Sequence, residues 1–337
     1  MRALPAILLL LAACAPGPRL VERALRQAEA LRSAEIEAAP AVPSPLLTVA
    51  AADPLTPRAL PVERGEEALL LRLHLIRAAR QSIELQSYIF AADEAGRLIL
   101  AELLAAARRG VRVRVLADQL FSLPDTALLA GLAAAHVGFD LRLHNPTFRR
   151  ARTSAPEFAA GILCCFRSFN QRMHNKLLLI DGRLALLGGR NVQNRYFDWD
   201  PDYDFRDREV LVAGPAVAAM RESFESFWSD RGSHAVARLG GVAERLARGP
   251  PPALTLALAE PWASRALWLR AQADDPVPDR PALPAPLPRR GADALLLGPA
   301  RQGLAARSRG AGLHRRAEGD HRRRRARDRA ADALPAS

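Results

Sequence analysis

Residues 172–191 read RMHNKLLLIDGRLALLGGRN. An apolar run on either side of Asp181-Gly182 is a hairpin: Asp-Gly is the strongest short signal for a two-residue type I′ turn. Pairing outward from that turn sets Lys176 opposite Leu187 and His174 opposite Gly189. Two positions apart on a strand, His174 and Lys176 share a face. Gly188 and Gly189 then lie beside the histidine, where missing side chains let a ligand approach. Asn191, just beyond, offers an amide donor to a phosphate oxygen. Seven residues along a strand is about 23 Å, so Asp181 shapes the turn and does not reach the histidine.

Working outward, strand and helix signals alternate. Residues 66–80 form an amphipathic helix with Leu69, Leu70, Leu73 and Ile76 on one side, and 82–90 (SIELQSYIF) alternate as a strand. A helix over 94–109 is closed by Gly110. Strand 111–117, helix 125–135 and strand 139–144 follow, then strands at 176–180, 183–187 and 209–212 and a helix over 216–229. Strand, helix, strand with short links is a βαβ unit. The expected fold class is therefore α/β, a mixed and mostly parallel sheet with helices on both faces. Residues 147–170 read as an irregular Arg-rich loop over a site. Within it, the adjacent Cys164 and Cys165 read as ordinary loop residues, because vicinal cysteines bridge only with strain. Past residue 236 the pattern decays, and residues 236–337 are expected to be an incomplete or disordered tail.

Composition adds one pointed fact. Of 48 basic residues in the 337-residue chain, 47 are Arg; the single Lys is Lys176, inside the motif. A compact ammonium in place of a guanidinium fork suggests a site that requires it. The net charge of +12 is uneven, since residues 281–337 hold 13 Arg against 5 acids. A basic body, and with it a nucleic-acid partner, is thus weakly supported. The N-terminus is an export signal: Arg2, an apolar run over residues 3–13 too short to span a bilayer, and small residues before Cys14. Residues 1–14 are read as a signal peptide with a lipobox, 15–61 as an exposed helix and Pro/Ala-rich spacer, and 62–235 as the folded domain.

The spacing H-x-K-x4-D-x6-G-G-x-N resembles the phospholipase D superfamily. SIELQSYIF, AAARRGVRVRVLAD, LRLHNP, RMHNK, GGRN and FRDREVLVAGPAV follow one another over residues 60–232 as in cardiolipin-synthase-like bacterial lipoproteins, in the N-terminal half with one motif. The resemblance implies a phospholipase D-like half domain and a phosphodiesterase or phosphatidyltransferase acting through a phosphohistidine. It makes His174, Lys176, Asp181, Asn191 and Asp207 the catalytic set. Lys176, Gly188, Gly189 and Asn191 would hold phosphate, and Asp207 would orient the His174 ring. It implies no metal and no cofactor. Partners would be a phospholipid such as phosphatidylglycerol and, through lipidated Cys14, the membrane of the cell envelope, on its outer-membrane or periplasmic side.

A second H-x-K is missing, because none of His234, His314 and His321 has Lys two residues on. Either the reading is truncated or frame-shifted, or a homodimer completes the site; a lone copy is expected to be close to inactive. A dimeric nuclease is the alternative function, which lipid anchoring disfavours. His74 reads as a surface residue, and His136 and His144 as flanking loops. Gln86 and Tyr88 resemble family positions near the site but serve equally as core or edge residues. Trp199, Tyr203 and Phe205 are candidates to line a lipid entrance.

Overall fold

The computed structural model describes residues 15–37, 39–251 and 264–274. The signal peptide, Cys14 and most of the C-terminal tail lie outside them.

Eight strands form the sheet: β1 (Arg58–Val62), β2 (Ser82–Ser87), β3 (Arg112–Asp118), β4 (Phe139–His144), β5 (Leu177–Ile180), β6 (Leu184–Gly188), β7 (Glu209–Ala213) and β8 (Ser233–Ala235). Their order is β1-β7-β6-β5-β2-β3-β4-β8. The expectation of a mostly parallel sheet is overturned. Among the described strands only β2–β3 and β3–β4 run parallel; the other five pairings are antiparallel. Crossover helices do carry β2 to β3 and β3 to β4, as the βαβ reading required. The hairpin β5–β6, the returning strand β7 and the edge strands β1 and β8 are joined by turns or meet from distant sequence. Nothing obliges these to run parallel.

Helices α1 (Pro18–Leu31), α2 (Pro45–Ala52), α3 (Gly65–Ala78), α4 (Glu94–Arg108), α5 (Thr126–Ala133), α6 (Ala155–Phe169), α7 (Ala216–Trp228), α8 (Val242–Arg248) and α9 (Ser264–Asp274) complete the described elements. The sheet is buried on both faces. Leu178, Ile180, Leu184 and Leu186 face the larger core, with α3, α4 and α5. Leu177, Leu179, Ala185 and Val212 face the smaller one, against Phe224 and Trp228 of α7. Two-sided burial is why β5 reads as an unbroken apolar run instead of alternating.

Carboxylates start the three helices α3, α4 and α5. Asp93 accepts from Gly96 N at 3.0 Å to open α4, and Asp125 accepts from Ala127 N at 2.7 Å to open α5. Asp198, from a distant loop, accepts from Gly65 N at 2.7 Å to open α3. Each satisfies a donor that the first turn leaves over and sets negative charge at the positive end of the helix dipole.

Several sequence readings change. The spacer over 40–61 contains α2 and the edge strand β1, where Pro61 is tolerated because an edge donor faces no partner. The fold also continues past residue 236: Val236, Leu239, Val242 and Leu246 are buried, and α9 places Ala266 and Leu269 in the larger core. His74 is not on the surface. It is buried on α3 with Nε2 3.0 Å from Ser44 Oγ and Nδ1 3.2 Å from the Ala273 carbonyl. The loop expected over 147–170 contains α6, opened by a capping box in which Ser154 N donates to Glu157 at 2.7 Å. The signal, Ser-x-x-Glu with Pro156 in the first turn, was legible in the sequence. Cys164 and Cys165 are disulfide-bonded, not free loop thiols. They sit where α6 breaks (Cys165 φ −142°, ψ 30°), and that break frees the link from helical geometry.

One buried ion pair ties the first helix of the domain to the strand beside the motif. Arg72 Nη1 donates to Glu209 Oε2 at 2.7 Å and its Nη2 bonds Oε1, with both side chains almost fully buried. Removing one partner strands a buried charge. Glu209→Ala should therefore lower unfolding free energy by about 3–5 kcal/mol in urea denaturation. Glu22→Ala, which breaks the exposed pair with Arg26, should barely move the midpoint.

Candidate active site

The site forms at the C-terminal ends of the parallel strands, where open α/β sheets place ligands. Asp118 ends β3 fully buried. Its carboxylate accepts from Leu120 N (3.1 Å) and Met173 N (3.0 Å) and lies 3.2 Å from Arg172 Nη1. Burial raises its pKa, with the Arg172 charge and the backbone donors opposing. Arg172 Nη2 also donates to the Asn145 carbonyl at 2.6 Å. The chain is thus clamped immediately before His174 and presents that side chain to solvent, while Lys176 is only 8% exposed.

His174 and Lys176 meet. Lys176 Nζ is 3.1 Å from His174 Nε2 and 2.9 Å from the His174 carbonyl. The Tyr88 ring packs on both, 4.7 Å from the imidazole centroid and 5.3 Å from the ammonium. Burial, then the adjacent Lys176 charge, pushes the His174 pKa below its ordinary value. Burial pushes Lys176 down to about 8, with Asp207 pulling the other way. An ammonium facing Nε2 assigns the imidazole proton to Nδ1 and holds the Nε2 lone pair in place.

The hairpin register differs from the sequence reading by one residue. Leu177 pairs with Leu187 and Ile180 with Leu184, so three residues, Asp181-Gly182-Arg183, form the loop. Asp181 and Gly182 both have positive φ (52° and 62°), and Arg183 N closes the turn on the Ile180 carbonyl at 2.9 Å. Arg183 is the extra residue. Continued past Leu177, this register sets Lys176 across from Gly188 and His174 across from Arg190. A one-residue slip exchanges the two faces of a strand, and here both faces are apolar. The hydrophobic pattern therefore could not choose between the registers.

The two glycines make room for protein. A Cβ on Gly188 would come 2.3 Å from the Arg208 carbonyl, and one on Gly189 2.0 Å from Asp207 Oδ1. The space is filled by the segment entering β7. Asp207 lies over Gly189, near enough to act on Lys176, and accepts from Arg208 N at 2.9 Å. Among the described residues no hydrogen bond joins it to His174. Asn191 is buried and accepts from Ile89 N at 3.0 Å, which leaves its NH2 as the end able to donate. Asp181 stands at the hairpin tip, accepting from the backbone N–H of Arg80 (3.0 Å), Gln81 (2.7 Å) and Ser82 (3.0 Å). It sews the turn to the start of β2.

A groove of about 710 Å³ opens beside Asp207, lined by Arg64, Asp198, Phe205, Arg206 and Arg208. Phe205 stacks on Tyr196 with centroids 4.8 Å apart, and Tyr203 meets it edge-on at 4.9 Å. Trp199 lines no entrance: it is buried, with Arg265 4.5 Å above its ring. His136 and His144 are held by structural contacts, to the Glu35 carbonyl (3.1 Å) and Ser233 Oγ (3.0 Å). Gln86 is buried with neither amide atom partnered. Among the described residues no three His, Cys, Asp or Glu are grouped to hold a metal ion. Sequence reading missed the Asp118–Arg172 clamp. Its one available signal was an acid closing a strand of a βαβ unit.

A family model described as cardiolipin synthase, PLD-like domain, matches residues 73–228. Over 169 residues the chain is 36% identical to cardiolipin synthase C of Escherichia coli (strain K12), covering 50% of this chain and 34% of that protein. It is also 36% identical over 170 residues to an uncharacterized protein of Helicobacter pylori (strain J99), covering 50% and 33%. The matched segment thus spans about a third of the length of these relatives. Among solved structures, a phospholipase D family member, Nuc from Salmonella typhimurium, aligns at 19% identity with a TM-score of 0.38, over 53% of this chain and 97% of that one.

Proposed function

We propose that this chain, about half of which is a phospholipase D superfamily domain, cleaves and transfers phosphodiesters of phospholipid head groups, with His174 as nucleophile. The contact between Lys176 Nζ and His174 Nε2 carries the reading. In the free protein the ammonium engages the nucleophilic lone pair. When a phosphodiester arrives, its anionic oxygens compete for that ammonium. Lys176 then turns to phosphate, and Nε2 is released toward phosphorus at the same moment. Attack forms the N–P bond and breaks the bond to the leaving alcohol; Lys176 and the Asn191 NH2 stabilise the charge gathering on the phosphoryl oxygens. Water or an acceptor alcohol then breaks the N–P bond. Glycerophospholipids are favoured because relatives named cardiolipin synthase share the matched segment.

The leaving alkoxide needs a proton, and general acid help is worth about 10²–10⁴-fold. A second copy of this chain, facing its own His174 toward the same phosphate, would supply it across a two-fold axis. The reading also puts the protein at the cell envelope, held by lipidated Cys14.

Turnover of labelled phosphatidylglycerol against pH tests this. His174 of the attacking copy must be neutral, and its pKa lies below the usual histidine value, so activity should be lost only as pH falls below the ordinary histidine range. Lys176 must be protonated, and the second copy's His174 must carry the proton it donates, so activity should fall again as pH rises, no later than about 8. A bell whose alkaline limb lies no higher than about 8 is expected. No turnover, or a profile flat through pH 8, would overturn the assignment.

A further inference from the structure

Helix α6 faces the wrong way for a helix that packs on its own domain. Its sequence, APEFAAGILCCFRSF, carries two charges, Glu157 and Arg167, and its only buried residue is Gly161. Phe158 and Ile162, four apart ahead of the break at Cys165, share one face with Leu163 beside them, and Phe166 follows the break. All four are exposed, Leu163 by 87% and Phe166 by 57%. The polar positions are the ones tied to the body. Glu157 Oε1 accepts from Arg150 Nε at 2.9 Å, and near the C-terminal end Asn145 Nδ2 donates to the Ser168 carbonyl at 2.6 Å. An amphipathic helix in water buries its apolar face against its own core. This one is tied to the body by polar bonds near its two ends and offers phenylalanine, isoleucine and leucine to the outside.

The surroundings identify what covers it. Between residues 145 and 173 the sequence holds five Arg and one Glu; Arg150 pairs with that Glu and Arg172 with Asp118, while Arg149, Arg152 and Arg167 have no ion pair among the described residues. An apolar face bordered by uncompensated arginine matches the layering of an anionic bilayer, acyl chains beneath phosphates. It does not match a second protein surface, whose apolar patch would bring no phosphates to the arginines. Among the described residues no helix is long and apolar enough to cross a membrane, so this one would lie in the interface. Its position fits substrate delivery. It ends five residues before His174, and the half-exposed Phe121 ring lies 5.6 Å from Tyr88, which packs on the His174 ring.

We infer that the apolar face of α6 inserts into the surface of an anionic phospholipid bilayer and holds the His174 site against the head groups. The choice of lipid as occupant rests on the phospholipid reading above.

The test is co-sedimentation of the full chain carrying Cys14→Ser, so that no acyl anchor binds on its own, with vesicles of phosphatidylcholine, with and without phosphatidylglycerol. This chain should partition onto the mixed vesicles, and adding Leu163→Glu/Phe166→Glu should weaken that partitioning by more than about tenfold. Because both side chains are exposed, thermal unfolding should be unchanged. Leu163→Ala/Phe166→Ala, which adds no charge, should give an intermediate loss. Unchanged vesicle binding by both double variants would overturn the inference. So would a loss of self-association in sedimentation without a loss of vesicle binding, which would make a second copy the occupant. Helix-dependent vesicle binding with no turnover of phosphatidylglycerol would instead sink the proposed function and leave the membrane face standing. Turnover that persists while the variants bind normally would do the reverse.

Discussion

Replacing His174 with alanine should reduce phosphatidylglycerol turnover by a factor on the order of 10⁴ or more, the scale seen when a covalent nucleophile is removed. Acid-labile label trapped on the wild-type chain by rapid quenching should vanish in the variant. The geometry gives the reason. His174 is the exposed member of the pair, its Nε2 lone pair is oriented by Lys176, and burial keeps the ring neutral at the pH where it must attack. Circular dichroism should show an unchanged fold, because the His174 side chain is exposed and its ring meets Lys176 and Tyr88 at the surface of the site. Trapped phosphate that persists in His174→Ala would move the nucleophile elsewhere.

Lys176→Arg should be nearly as damaging, although charge is conserved. We expect turnover to fall by about 10²–10³-fold, the scale of losing one donor to a developing oxyanion. Lys176 occupies a buried slot beside the paired His174 and Tyr88 rings, and a planar guanidinium there would displace the imidazole it is meant to orient. The variant also separates two explanations of the alkaline limb. If that limb is Lys176 losing its proton near 8, the residual activity of Lys176→Arg should stay level through pH 8 and beyond, since arginine keeps its charge. A limb unchanged in position would belong to another group. In a chain with 47 arginines, a fully active Lys176→Arg enzyme would mean that the single lysine has no chemical role.

Local patterns carried far here. The strands at 82–87, 112–118 and 139–144 and their crossover helices follow from period and caps, because each βαβ unit is built from neighbours in sequence. The pairing of His174 with Lys176 follows from a spacing of two. What went astray has a common cause. The antiparallel pairings of β1 with β7, β2 with β5 and β4 with β8, the edge strand from 58–62 and the burial of His74 against Ser44 and Ala273 all join segments far apart in the chain. No local period records a partner a hundred residues away. The hairpin register slipped for a different reason: β5 and β6 are apolar on both faces, so the pattern was degenerate.

By itself, then, the sequence determined a hairpin bearing one histidine and one lysine, two parallel crossovers to carry it, and the chemistry those two side chains suit. Only the tertiary structure decided that Asp118 and Arg172 clamp the approach to His174, and that Gly188 and Gly189 yield space to Asp207 and Glu209. It alone turned the apolar face of α6 outward beside the site. Each depends on which surfaces meet in space, and close packing settles that over the whole core at once.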